Sequence, residues 1–117
     1  MVKVVVKRDN NKEKFNPAKI YNAVFKASRE LYSDKEADNI SRIVLNKVLK
    51  ELSKYRKEIH IENIQDLIER ILMQEGFQDV AKVYILYRRY RQEIREYKER
   101  IGIKDELKLS INAITIL

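Results

Sequence analysis

Three small groups of side chains in this sequence have types and spacings suited to holding an anion or a flat ring. Lys7-Arg8 closes a valine-rich opening, two cations side by side just before Asp9-Asn10-Asn11. Adjacent cations where a strand meets a turn serve as solvated charges that discourage edge-to-edge pairing, and they equally suit a phosphate. Asn16 and Lys19 flank the start of a helix signalled by Pro17. A helix mouth presents unpaired N–H groups and a partial positive charge, so anions dock there readily. The third group, Tyr84, Tyr87, Arg88 and Arg91, recurs at helical spacing. Tyrosines in such a row commonly belong to a core with their hydroxyls at its rim, yet aromatics beside arginine also suit a base and its phosphates. The turn carrying Lys7 and Arg8 leads directly into the helix carrying Asn16 and Lys19. Both clusters therefore lie within reach of one triphosphate.

Much other chemistry is excluded by composition. The 117 residues hold no cysteine and one histidine, which removes disulfides, thiolate metal sites, cysteine nucleophiles and multi-histidine centres. Two glycines, at 76 and 102, cannot build a GxxxxGK[ST] or GxGxxG phosphate loop. Any nucleotide must be held by side chains and by hairpin or helix-end amides. No serine sits beside a plausible base, so no catalytic residue is assigned. Glu62 and Asp66, four apart, read as a solvated acidic helix face, and His60 as a cap or surface residue. The formal charge of +7 favours polyanionic partners without choosing between nucleotide and nucleic acid. No run approaches the ~18 apolar residues of a membrane span, and the first ten residues lack a signal-peptide pattern.

One domain's worth of chain with only two glycines and one proline implies long helices and few turns. Val2, Val4 and Val6 alternate as in a half-buried strand, Asp9-Asn10-Asn11 suits a turn, and 12–15 returns as a second short strand. Asn16-Pro17 caps and opens a helix over 17–32, with Ile20, Ala23, Val24, Ala27 and Leu31 on one face. Ser33-Asp34-Lys35-Glu36 is a capping box opening a second helix over 34–53. A polar connection over 53–58 leads to a third helix over 62–75, lined by Ile64, Leu67, Ile68, Ile71 and Leu72 and stopped by Gly76. A fourth starts near Asp79 with Val83, Tyr87, Tyr90, Ile94 and Tyr97 in a stripe, and ends at Gly102. The fold expected from these signals is mainly α, a hairpin on a four-helix bundle. The apolar tail over 107–117 suggests a piece of something larger.

Val5-Val6-Lys7-Arg8-Asp9, Phe15 to Ile20, Ile64 to Glu69 and Val80 to Arg88, in that order, closely resemble the ATP-cone domain across about residues 3–95. The resemblance implies an α+β fold, a four-helix bundle capped by a small three-stranded sheet. It implies reversible binding of ATP or dATP, with Mg2+, as an allosteric effector without hydrolysis. The best-known setting is the N-terminus of ribonucleotide reductases. That setting implies a cytoplasmic protein, a catalytic domain or subunit as partner and a possible homo-oligomer. The segment 105–113 resembles the lead into the catalytic barrel of the adenosylcobalamin-dependent class. This divides the chain into a nucleotide-binding domain over 1–101 and a linker with the start of a further domain over 102–117. The cone-bearing zinc-ribbon repressors need cysteines ahead of the cone, and this sequence has none.

By the same resemblance Lys7 and Arg8 match a phosphate-binding pair, Asn16 and Lys19 stand near adenine and sugar, and Glu13 accepts from the adenine amino group. Ile20 walls the base, Gln65 matches a base-contacting polar position, and Arg88 or Arg91 supplies a far-side phosphate ligand. Asn10 replaces a glycine that usually follows Lys-Arg-Asp, a modest strain if its φ is positive. Two rivals remain at this level: a basic helical module gripping nucleic acid through the arginine-rich last helix, and a cone that folds without a ligand and serves as an interaction surface.

Overall fold

The computed structural model describes residues 1–55 and 57–102. In chain order these form β1 (Val4–Val6), β2 (Lys12–Lys14), α1 (Pro17–Arg29), α2 (Asp34–Leu52), β3 (Glu58–His60), α3 (Ile61–Gln74) and α4 (Gln78–Ile101). The reading of 103–117 as a linker and domain start lies outside the described residues.

The helix signals act as the sequence predicts. Asn16 accepts from the Ala18 amide at 3.0 Å ahead of Pro17. Ser33 accepts from the Glu36 amide, and Gly76 and Gly102 follow α3 and α4 with φ of 84° and 70°. His60 takes the cap role, its Nδ1 accepting from the Glu62 amide at 3.2 Å. The helices pack in a ring, α1 on α2, α2 on α3, α3 on α4, and α4 back on α1. Val24, Val44, Val48, Leu52, Leu72 and Val80 are fully enclosed at its centre. Ser28 and Ser41 share that interior, donating to the carbonyls of Val24 and Ala37 one turn back, so neither hydroxyl is left unpaired.

The sheet order is β2-β1-β3, with β1 antiparallel to β2 and parallel to β3. Its third strand is absent from the hydrophobic pattern, which reads 53–58 as a connection; Glu58 in fact begins β3. The phase of β1 also departs from expectation. Val2 and Val5 are buried rather than Val2, Val4 and Val6. The cause is an irregular step before the strand, where the amides of Lys3 and Val4 both donate to the Lys57 carbonyl. Alternation is broken there, and Val5 turns toward the helices beside its register partner Ile59. Val5 also pairs with Glu13. Side chains of register partners share a face, so Glu13 faces the helices from the edge strand while Lys12 and Lys14 face away.

Two helix-face expectations are corrected. Leu31 lies past the end of α1 and is exposed. The α4 stripe is rotated: Val80, Ala81 and Tyr84 are buried, whereas Tyr90 and Tyr97 are exposed. At 24 residues α4 is about 36 Å long, longer than each of its neighbours, so its last turns pass the bundle and run beside the hairpin.

Asn10 has φ of 66°, and its amide closes the turn on the Lys7 carbonyl at 2.9 Å. Asp9 braces the turn from below, accepting from the Asn11 amide and side chain. Asparagine tolerates the left-handed region better than alanine does. Asn10→Ala should cost about 1 kcal/mol and Asn10→Gly should be neutral or slightly stabilising, measured by urea unfolding.

Two tyrosine–carboxylate contacts clip the helices: Tyr21 donates to Asp38 across α1 and α2, and Tyr32 donates to Asp79 at the start of α4. The Tyr32 hydrogen bond, opposed by partial burial, holds the Asp79 carboxyl below its usual range. A depressed carboxyl contributes stability that is complete above pH ~4 and is lost as pH falls through the folded value. Urea unfolding at pH 7 and pH 3 should therefore show a smaller acid-induced loss in Tyr32→Phe than in wild type.

Candidate functional site

Because α1 and α3 sit diagonally across the ring, their N-terminal turns leave a gap beneath the sheet. A cavity of about 170 Å³ occupies it, bounded by Val5, Phe15, Ile20, Ala23, Ile61, Ile64, Ile68 and Tyr84, with polar groups from Glu13, Asn16, Lys19, Gln65 and Arg91. Most of the walls come from three elements. β1 contributes Val5, the α1 face contributes Ile20 and Ala23, and the α3 face contributes Ile64 and Ile68. Burial drives the Tyr84 phenol well above its ordinary pKa, so it stays neutral, outweighing the opposing effect of Arg88. The chamber is mostly apolar with a few polar groups, the composition of a small-molecule site.

A second, open cavity of about 520 Å³ adjoins it, lined by Lys7, Arg8, Asp9, Glu13, Ile61, Arg95, Lys98 and Glu99. Its cations come from the hairpin and from the overhanging end of α4. Glu13 and Ile61 line both cavities. Glu13 accepts from Lys19 at 3.0 Å, and Lys7 lies 4.0 Å away. Arg8 donates from Nη2 to Gln65 Oε1 at 2.8 Å, and its Nε lies 3.3 Å from the Glu62 carboxylate. Burial lowers the pKa of Arg95, aided by the like charges of Arg8 and Arg91. Arg8 and Arg91 thus both press their like charge on Arg95, and an anion placed beside Arg95 relieves that repulsion.

Nine of the residues that the sequence singles out are brought together by these two cavities: Lys7, Arg8, Glu13, Asn16, Lys19, Ile20, Gln65, Tyr84 and Arg91. Arg88 stands apart. It is bound by Asp66 at 2.7 Å and Glu69 at 2.9 Å, and these contacts outweigh partial burial to raise its pKa. Asp66 is thereby an arginine partner, more than a solvated face. Tyr87 is likewise turned away, donating to Glu30 of α1 at 2.6 Å, with burial and that bond lifting its pKa to about 12. Arg95 and Lys98 line the larger cavity without having been singled out by sequence. The available signal was the length of α4, whose last turns had to lie beside something. Among the described residues no group of three or more His, Asp or Glu gathers to hold a metal. No described helix is long and apolar enough to cross a membrane.

A family model described as the ATP cone domain matches residues 3–93 of this chain, a span that includes both cavity walls except Arg95, Lys98 and Glu99. The chain belongs to the ATP-cone family. This ATP-cone is 41% identical, along its whole length, to part of the vitamin B12-dependent ribonucleoside-diphosphate reductase of Thermoplasma acidophilum. It is 40% identical over 97% of its length to the enzyme of that name from Mycobacterium tuberculosis. It is also 38% identical over 84% of its length to the ribonucleoside-diphosphate reductase subunit alpha of Chlamydia pneumoniae. The chain spans 16%, 16% and 10% of those three relatives. The matched parts are their N-terminal regions. The cone's four helices and small mixed sheet agree with the mainly α fold expected from sequence.

Proposed function

We propose that this ATP-cone is a regulatory, non-catalytic module that binds ATP or dATP with the base in the smaller cavity and the phosphates in the larger. The observation that carries this is the junction of a mostly apolar chamber and a cation-lined one at a single carboxylate, Glu13. Ile20, Ile64 and Ile68 would wall the base, and Glu13 would accept from its amino group. Lys7 and Arg8, with Arg91 nearby, would take the phosphates. Exposed ion pairs contribute only ~0–1 kcal/mol each, so the nucleotide frees Lys7 and Lys19 from Glu13 at little cost. With no metal-holding cluster among the described residues, Mg2+ would ride on the phosphate oxygens.

An effector bound at micromolar levels contributes about 8 kcal/mol, of which only the difference between two states of a larger assembly can regulate, typically ~1–3 kcal/mol. In a longer protein such as the reductases it resembles, the partner biased in this way would be the catalytic domain or a second subunit in the cytoplasm. ATP and dATP differ by one hydroxyl. Asn16 uses its carbonyl oxygen on the helix cap, which leaves its amide donors, with the Lys19 ammonium, as the groups nearest to read the sugar. Lys19→Ala should narrow the ratio of ATP to dATP affinity about threefold in calorimetric titration, the scale of a partly exposed hydrogen bond.

Thermal shift with ATP, dATP, GTP and CTP tests the reading, since a ligand that binds only the folded chain raises its melting temperature. Shifts with ATP and dATP far above those with GTP and CTP are expected. A chain indifferent to all four that binds DNA with steep salt dependence would be a nucleic-acid module instead.

A further inference from the structure

The hydrogen bond from Arg8 to Gln65 joins the two cavities chemically, because Arg8 lines the larger and Gln65 the smaller. A guanidinium has donors and no acceptor, so the Gln65 atom facing Arg8 must be its carbonyl oxygen. The amide is thereby fixed in one of its two flips, with its N–H2 group the one remaining for a ligand. Glu13, also on the smaller cavity, offers only acceptors when ionised. A base edge suited to this pair places an amino donor beside a ring-nitrogen acceptor. Adenine presents that order at its 6-amino group and N1; at the same two positions guanine presents a carbonyl acceptor and a ring N–H, the reverse.

Building on the nucleotide reading above, we propose that Arg8 is a positioning residue for base choice, holding Gln65 so that adenine is accepted and guanine refused. Glu62, on the Arg8 Nε, orients the guanidinium for this task. These two contacts occupy one N–H on Nη2 and the N–H on Nε. The other N–H groups of the fork can meet a phosphate at the same time. One side chain then links recognition of the base to recognition of the phosphates, and a nucleotide with the wrong base loses at both ends.

Isothermal titration of the full chain with ATP and with GTP tests this in Lys7→Met, Arg8→Met, Gln65→Ala and the Arg8→Met/Gln65→Ala double variant. Lys7→Met should weaken both nucleotides by one factor and leave their ratio as in wild type. Arg8→Met should weaken both and also lower the ATP-to-GTP ratio by about tenfold, the size of one well-placed hydrogen bond. Gln65→Ala should lower the ratio equally, and the double variant should lower it no further. A wild-type ratio in Arg8→Met makes Arg8 a charge for phosphate and nothing more, overturning the proposal. Independent, multiplying losses in the double variant overturn it too. Should Arg8→Met not fold, an unchanged ratio in Gln65→Ala overturns it equally. A wild-type chain that binds neither nucleotide refutes the proposed function itself, whereas one that prefers ATP while Arg8→Met keeps that preference refutes this inference alone.

Discussion

Exchanging Lys7 and Arg8 together for alanine is expected to weaken ATP binding by about 10²–10³-fold, the loss of two charge-assisted hydrogen bonds. Adenosine, which has no phosphates, should lose only about tenfold, through release of the Gln65 amide. The contrast follows from where the two residues sit. Both line the cation-rich cavity, and neither borders the apolar one. The hairpin itself should survive, because its turn is closed by backbone bonds between Lys7, Asn10 and Asn11 that the substitutions leave in place. Competition titrations with ATP and adenosine decide the matter. Equal losses for the two ligands would place the phosphates elsewhere on the chain.

The largest effect on stability should come from the centre of the helix ring. Leu72 of α3 is fully enclosed and touches neither cavity. Leu72→Ala removes buried methyl groups and leaves a void, costing about 3 kcal/mol. For a domain of this size that lowers the melting temperature by roughly 15 °C. Leu72→Met, which nearly conserves volume, should cost about 1 kcal/mol or less. Below its melting point the alanine variant should bind ATP within about twofold of wild type, since Leu72 lines neither cavity and lies a full turn beyond Ile68, the last α3 residue of the site's wall. A variant as stable as wild type would show that the enclosed residues are not the core.

What the sequence disclosed and what it hid have separate physical causes. The α1 cap and the α3 face were legible because both depend on neighbours within one or two turns. Asn16-Pro17 forms its cap locally, and Ile64 through Leu72 recur at helical spacing with nothing to rival them. The phase of β1 was hidden because Val4, Val5 and Val6 are identical residues, so no pattern says which one faces inward. That choice is made by the Lys57 carbonyl and Ile59, more than fifty residues away. It matters for the site. A shift of one residue would turn every side chain of the pair over, sending Lys12 and Lys14 under the sheet and Glu13 out into water. In the hydrophobic pattern β3 was invisible for a related reason, with Ile59 its single apolar residue between Glu58 and His60, and only the family resemblance implied a third strand.

The last helix misled through its tyrosines. Val83, Tyr87, Tyr90, Ile94 and Tyr97 form the most regular row in the sequence, yet a tyrosine is content at a rim or in water, and the bundle ends before the row does. Burial instead follows Val80, Ala81 and Tyr84. The same misjudgement concealed Arg95 and Lys98, whose cavity exists only because α4 runs beyond its neighbours to lie alongside the hairpin. Arg88 shows the converse: an arginine at the right spacing is drawn into an ion-pair network by Asp66 and Glu69, a preference that only three-dimensional neighbours reveal.

A crystal structure of the chain grown with ATP bears most directly on whether one nucleotide joins the two cavities. It should show adenine against Ile20, Ile64 and Ile68, with phosphate oxygens within hydrogen-bonding distance of Lys7 and Arg8. Lys7 and Arg8 turned apart with no density between them, or phosphates seated on a different face of the bundle, would contradict it.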